Sequence, residues 1–92
     1  MSSELKNAAV DPASVKSGDK TTVKVTYDAD ALALMSIRAS EGYQSIPWYV
    51  SLTAPGSNRT IDVHMVIMGP PGDCALAFSV PGSTISAKIT IA

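Results

Sequence analysis

Cysteine is nearly absent from this 92-residue chain: Cys74 stands alone, so no internal disulfide can form and stability must come from packing and sheet hydrogen bonds. The redox compartment is therefore open. Charge is also sparse, at 16% of residues, with seven Lys and Arg against eight Asp and Glu for a net charge of −1. No basic run builds the field that a phosphate backbone needs, which argues against nucleic acid as a partner. No uninterrupted apolar run approaches the roughly 20 residues that cross a bilayer, so no membrane insertion is expected. The opening Met-Ser-Ser-Glu-Leu-Lys has none of the apolar core of a signal peptide, so no export signal is expected either. His64 is the single histidine, and no His or Cys cluster suits zinc.

What the chain does contain is apolar residues, 46% of the total. That is enough for a core, and the length suits one domain spanning 1–92. The apolar positions recur with period two. Thr21, Val23, Val25 and Tyr27 share one side of a segment whose other side is Lys20, Thr22, Lys24 and Thr26. Trp48, Val50 and Leu52 alternate with Tyr49, Ser51 and Thr53, which predicts a strand with Trp48 facing the core. Ile61, Val63, Met65 and Ile67 oppose Asp62, His64, Val66 and Met68, and this strand is expected to pair with the preceding one.

Cys74, Leu76, Phe78 and Val80 form a further apolar row, and Ile85, Ala87, Ile89 and Ile91 form the last. Leu5 to Val10 reads as a short first strand, followed by a loop from Asp11-Pro12 to Gly18-Asp19. Turn residues recur about every 8 to 12 positions, the spacing of a sandwich of about seven strands in two antiparallel sheets. In the segment near 30–40, Met35, Ile37 and Ala39 alternate with Ser36, Arg38 and Ser40 as in a strand. Helix formers and Gly42 make a short helix the alternative there.

The order Val10-Asp11-Pro12-Ala13-Ser14-Val15-Lys16-Ser17-Gly18-Asp19, then Thr22 to Thr26, resembles the opening of bacterial immunoglobulin-like accessory domains. The close, Val80-Pro81-Gly82-Ser83-Thr84 running into Ile85 to Ile91, is similar to their last strand. The resemblance covers about the first third and last fifth of the chain and is carried by turn chemistry. It implies an immunoglobulin-like (Ig-like) β-sandwich used for spacing, adhesion or attachment in surface proteins, secreted enzymes or virions. An extracellular or virion-associated location follows from the resemblance alone. The chain departs from the antibody pattern in having no cysteine pair.

For chemistry, His64 would need to meet a serine or Cys74 and an orienting acid. Cys74 lies in an apolar row, where a buried thiol stays inert. No catalytic residue, metal site or cofactor is assigned, and the expectation is a chain that is not an enzyme. Asp28, Asp30, Glu41 and Asp73 would form a calcium site only if the fold gathered them at one end. Asn58-Arg59-Thr60 matches the N-glycosylation pattern without a secretory signal.

Two binding surfaces remain. Tyr43 and Tyr49 are the aromatic pair expected to stay outside, suited to a carbohydrate ring or a protein hot spot. His64, Val66 and Met68 leave an apolar strip on the outer side of their strand, which a partner surface would cover. The functional expectation is a structural or adhesive module that binds a protein partner or self-assembles into a homo-oligomer. A carbohydrate-binding accessory domain is the alternative.

Overall fold

Nine strands make up the chain in the computed structural model, which describes residues 3–92. They are β1 (Ser3–Asp11), β2 (Ser14–Val15), β3 (Lys20–Ala29), β4 (Ala33–Ala39), β5 (Gln44–Ile46), β6 (Tyr49–Leu52), β7 (Gly56–Met68), β8 (Gly72–Val80) and β9 (Ser83–Ile91). Two sheets face each other, one in the order β1-β3-β7-β5 and the other β2-β9-β8-β4-β6. Every pairing is antiparallel except β2 with β9, which is parallel. The architecture is the expected Ig-like β-sandwich.

The core forms where the inner rows of the two sheets meet. Val23, Val25 and Tyr27 of β3 and Val63, Met65 and Ile67 of β7 lie opposite Met35, Ile37, Cys74, Leu76, Phe78, Ile89 and Ile91 of the other sheet, all buried. Each such side chain contributes on the order of 1.5–3 kcal/mol by leaving water. Period-two alternation decides which side each residue takes, and it holds along β3, β4, β7 and β8. Among the described residues, no buried side-chain nitrogen or oxygen lacks a partner.

The 30–40 segment is the strand its alternation predicts and not the alternative helix: β4 lies between β6 and β8, and burial of Met35 and Ile37 overrides local helix preference. Other expectations change. The count is nine rather than about seven because two segments are each split by a proline. At Pro12 the chain leaves β1 in one sheet for β2 in the other, and at Pro47 it leaves β5 for β6. Proline has no N–H to extend a ladder, so the strand ends there. Both of these X–Pro peptide bonds are cis. The expected loop from Asp11 to Asp19 consequently holds β2, which pairs Ser14 with Thr90 and Val15 with Ile91.

The strand around Tyr49–Leu52 does not pair with the one ending at Met68. β6 pairs with β4, while β7 lies between β3 and β5. Period two shows which way side chains point but not which strands are neighbours, and the Pro47 crossing separates these two into different sheets.

Two bulges adjust the alternation. The register of β1 against β3 shifts between Leu5 and Asn7, so Leu5, Ala8 and Val10 stand opposite Tyr27, Val25 and Val23. A strict period of two would have placed Asn7 on that side. The β3–β7 register shifts between Tyr27 and Ala29, near Asn58, whose φ of 51° lies in the left-handed region where Asn is among the more tolerant residues. Its N–H donates to Asp28 Oδ1 at 2.8 Å.

Candidate functional site: the β5–β6 flank

Among the described residues, six large apolar side chains are exposed: Leu32 (73%), Trp48 (67%), Leu34 (57%), Ile46 (57%), Tyr49 (47%) and Met68 (39%). Five of the six lie on β4 to β7 or at the Pro47 crossing, and Leu32 lies in the connection from β3 to β4. The opposite flank, formed by β1, β2 and β9, exposes none of comparable size.

Three of the six come from the crossing itself. Ile46 ends β5 and pairs with Val66, so both side chains share the outer face of their sheet, and Gln44 stands beside Met68. Trp48 follows Pro47, and its carbonyl accepts a 2.7 Å hydrogen bond from the Ile37 N–H. The Trp48 ring meets the Tyr49 ring edge to face, with centroids 4.5 Å apart and planes inclined by 68°. Leu34 lies opposite Ser51, and Ser36 opposite Tyr49, so Leu34 and Tyr49 are diagonal neighbours on the outer face of the other sheet.

Trp48 is thus a correction: expected in the core, it is two-thirds exposed. Alternation held for Val50, which packs against the core, and for Leu52, which is fully buried. It failed one step earlier because Trp48 lies at the crossing, on the margin of the sandwich, where the opposing sheet has narrowed to the three residues of β5. Tyr43 also differs from expectation. It is half-buried against the core, and its ring fills the space beside Gly69, where a Cβ would collide with it. Tyr43 and Tyr49 are therefore not equivalent members of one surface.

His64 is exposed on the outer face of β7, with Nδ1 3.1 Å from Thr22 Oγ1. Asp11 stands opposite Thr22 across the other ladder, so the order along the row is Asp11, Thr22, His64. The acid and the imidazole lie on the two sides of the hydroxyl, about 10 Å apart at the usual strand spacing. An acid–His–nucleophile relay needs the imidazole in the middle. Cys74 is fully buried on the inner face of β8 and does not meet His64. Val66 is half-buried, and with His64 it lines a cleft of about 570 Å³ bounded by Asp11, Pro12 and Lys20.

The loop acids are divided between the two ends of the sandwich. Asp28 lies where β3 approaches the start of β1 and β7, and Asp73 and Glu41 lie at the other end. Among the described residues, no group of three or more His, Cys, Asp or Glu could hold a metal ion. Asp28 is instead engaged by the Asn58 N–H and by Lys6 Nζ at 3.2 Å, and these hold its carboxyl below the ordinary range. Asp73 is lowered similarly by Lys88 and Thr90.

Ile46, Leu32 and Leu34 were missed by sequence reasoning. For Leu34 the signal was available, since an alternation that turns Met35 and Ile37 inward turns Leu34 outward. For Ile46 there was none: three residues of strand before a proline show no periodicity.

No protein-family model matches the chain, and no curated protein matches it. Solved structures do. WR4, a C. elegans MSP family member, superimposes with a TM-score of 0.57 at 20% identity, over 92% of this chain and 97% of that one. SSP-19, an MSP-domain protein like family member in Caenorhabditis elegans, gives 0.56 at 14% identity, over 90% and 97%. At these identities the likeness is one of fold. It agrees with the Ig-like sandwich, and both of these structures are of MSP proteins.

Proposed function

We propose that the chain is a non-catalytic protein-interaction module whose contact surface is the β5–β6 flank. The observation that carries this reading is the exposed aromatic pair Trp48 and Tyr49, set between Ile46 and Leu34. Isolated exposed apolar residues are ordinary, but several along one margin of the sandwich, with none of their size along the opposite margin, mark a surface that a partner covers. Trp and Tyr are the side chains that most often anchor such contacts. The fold shared with MSP proteins is compatible with this role without specifying it.

His64, Val66 and Met68 belong to the same reading as an extension of that surface. Ile46 on β5 continues their strip toward the crossing. Adhesive and virion roles would use the same surface. A carbohydrate platform has less support. The Trp48 and Tyr49 planes are inclined by 68° and offer no single flat face, and Tyr43 is held against Gly69.

The test is retention of proteins from the source organism on immobilised chain, compared with Trp48→Ala/Tyr49→Ala. Species held by the native chain and lost with the double variant support the reading. Retention unchanged by the double variant places the contact elsewhere and rejects it, as does retention of nothing at all by a chain that also stays monomeric.

A further inference from the structure

β7 runs for 13 residues, and β3 accompanies it from Val66 back to Gly56. On the other side of β7, β5 covers only Val66, Ile67 and Met68 before the chain turns away at Pro47. No strand among the described residues lies beside Thr60 to His64 on that side. This free edge belongs to the flank that exposes Ile46 and Trp48.

Two bonds fix the phase of the edge. The Gly18 N–H donates to Ile67 C=O and the Gly69 N–H to Ser17 Oγ, so odd-numbered positions along β7 turn their backbone groups toward β3. Even-numbered positions turn theirs the other way, as the pairing of Val66 and Met68 with β5 requires. The register against β3 is unbroken from Val66 to Arg59, so the alternation carries through. Thr60, Asp62 and His64 therefore aim three N–H and three C=O groups away from the sheet. Their side chains stand exposed on its outer face.

Resting on the reading of this flank as a contact surface, we propose that the edge takes an extended segment of another protein, paired antiparallel with Thr60 to His64 and carrying a Lys or Arg opposite Asp62. The charge follows from Asp62, which makes no ion pair among the described residues although Lys24 stands opposite it on β3. A cation on the open side gives that carboxylate a partner. Positions opposite Ile61 and Val63 face inward, over the margin where Ile61 and Val50 are only half-buried, and take apolar side chains. β3 shows that such a segment fits. Its Thr22-Val23-Lys24-Val25-Thr26 matches His64 back to Thr60, residue for residue, on the other side of β7.

A second copy of the chain does not fit this edge. Antiparallel pairing of two β7 edges about Asp62, Val63 or His64 sets Val66 of the second copy opposite Asn58, Thr60 or Asp62, and β5 already occupies that side of Val66. An axis at Thr60 or Ile61 runs the ladder into Asn58, whose φ of 51° interrupts the regular strand. The outward acid and imidazole also deter uncharged strands, which leaves a complementary foreign segment as the occupant.

An NMR titration of the whole chain with the capped peptide Thr-Val-Lys-Val-Thr, and with Thr-Val-Glu-Val-Thr for comparison, tests the proposal. The amide signals of Thr60, Asp62 and His64 should shift and their hydrogen exchange should slow. The Glu peptide should bind about two- to fivefold more weakly, and Asp62→Asn, an exposed substitution, should bring the two peptides to equal affinity. No change at these amides overturns the proposal, as does equal binding of the two peptides by the native chain or a difference that survives Asp62→Asn. If the edge takes neither peptide while Trp48→Ala/Tyr49→Ala still loses bound proteins, strand addition is wrong and the interaction reading stands. Lys-selective binding at the edge, with every protein retained by the double variant, supports strand addition and rejects the Trp48 and Tyr49 contact.

Discussion

At Pro12 the chain passes from the four-stranded sheet to the five-stranded one, and at Pro47 it does so again on the opposite flank. The first crossing is tied down by its neighbours. Thr21 Oγ1 donates to Pro12 C=O at 2.8 Å, Thr90 N–H to Ala13 C=O at 2.8 Å, and Ala92 N–H to Val15 C=O at 2.7 Å. Further along that flank, the Leu5 N–H donates to Ser83 Oγ at 2.9 Å, which ties β1 to the start of β9. The second crossing has the single backbone bond from Ile37 to Trp48 and leaves Ile46, Trp48 and Tyr49 in solvent. Both crossings reach solvent, but the first is tied by hydrogen bonds to its neighbours and exposes only Asp11, Pro12, Ala13 and Ser14, whereas the second exposes large apolar side chains.

The comparison can be broken most forcefully at the flank that is tied down. Leu5 is 4% exposed and faces Tyr27 across the ladder, so Leu5→Ala should cost about 2–5 kcal/mol in urea unfolding. A cost near zero would show that β1 is no more integral than the open side. A smaller effect is expected from the polar clamp on the same flank, where Asp28 is held by the Asn58 N–H and then by Lys6. Because these depress the folded carboxyl, they contribute stability above the ordinary value of 3.8, and that contribution is lost as pH falls through the folded value. The native chain should exceed Asp28→Asn in urea midpoint at neutral pH, with the gap closing under acid. A gap that persists once the carboxyl is protonated would exclude the ionised clamp as its source. The smallest effect belongs to the open flank. Trp48→Ala, measured on dilute chain, should change folding stability by about 0.5 kcal/mol or less, despite removing the largest side chain in the molecule. A large loss would mean that the indole serves the fold and not a contact.

Much of the fold was legible in the residues. The rows Val23-Val25-Tyr27, Val63-Met65-Ile67 and Cys74-Leu76-Phe78 announced both their strands and their buried sides, because a pleated chain can hide only alternate residues. The strand from Ala33 to Ala39 was less clear, since its helix formers and its alternation pointed different ways until β6 and β8 flanked it. The candidate site was legible only in part. Tyr49 and the strip of His64, Val66 and Met68 stood out, whereas Ile46 lies in a strand too short for any pattern, and the indole of Trp48 was assigned to the wrong side.

The amino-acid order by itself determined extended structure, the inward and outward sets, and the absence of any disulfide, because these depend on side-chain chemistry and a two-residue repeat. Only the tertiary structure decided which strands are neighbours, where the bulges re-phase β1 and β7, and that one of two proline crossings presents large apolar side chains to solvent. Those features depend on contacts between residues far apart in the chain, and no local pattern encodes which distant segment will arrive to cover an edge.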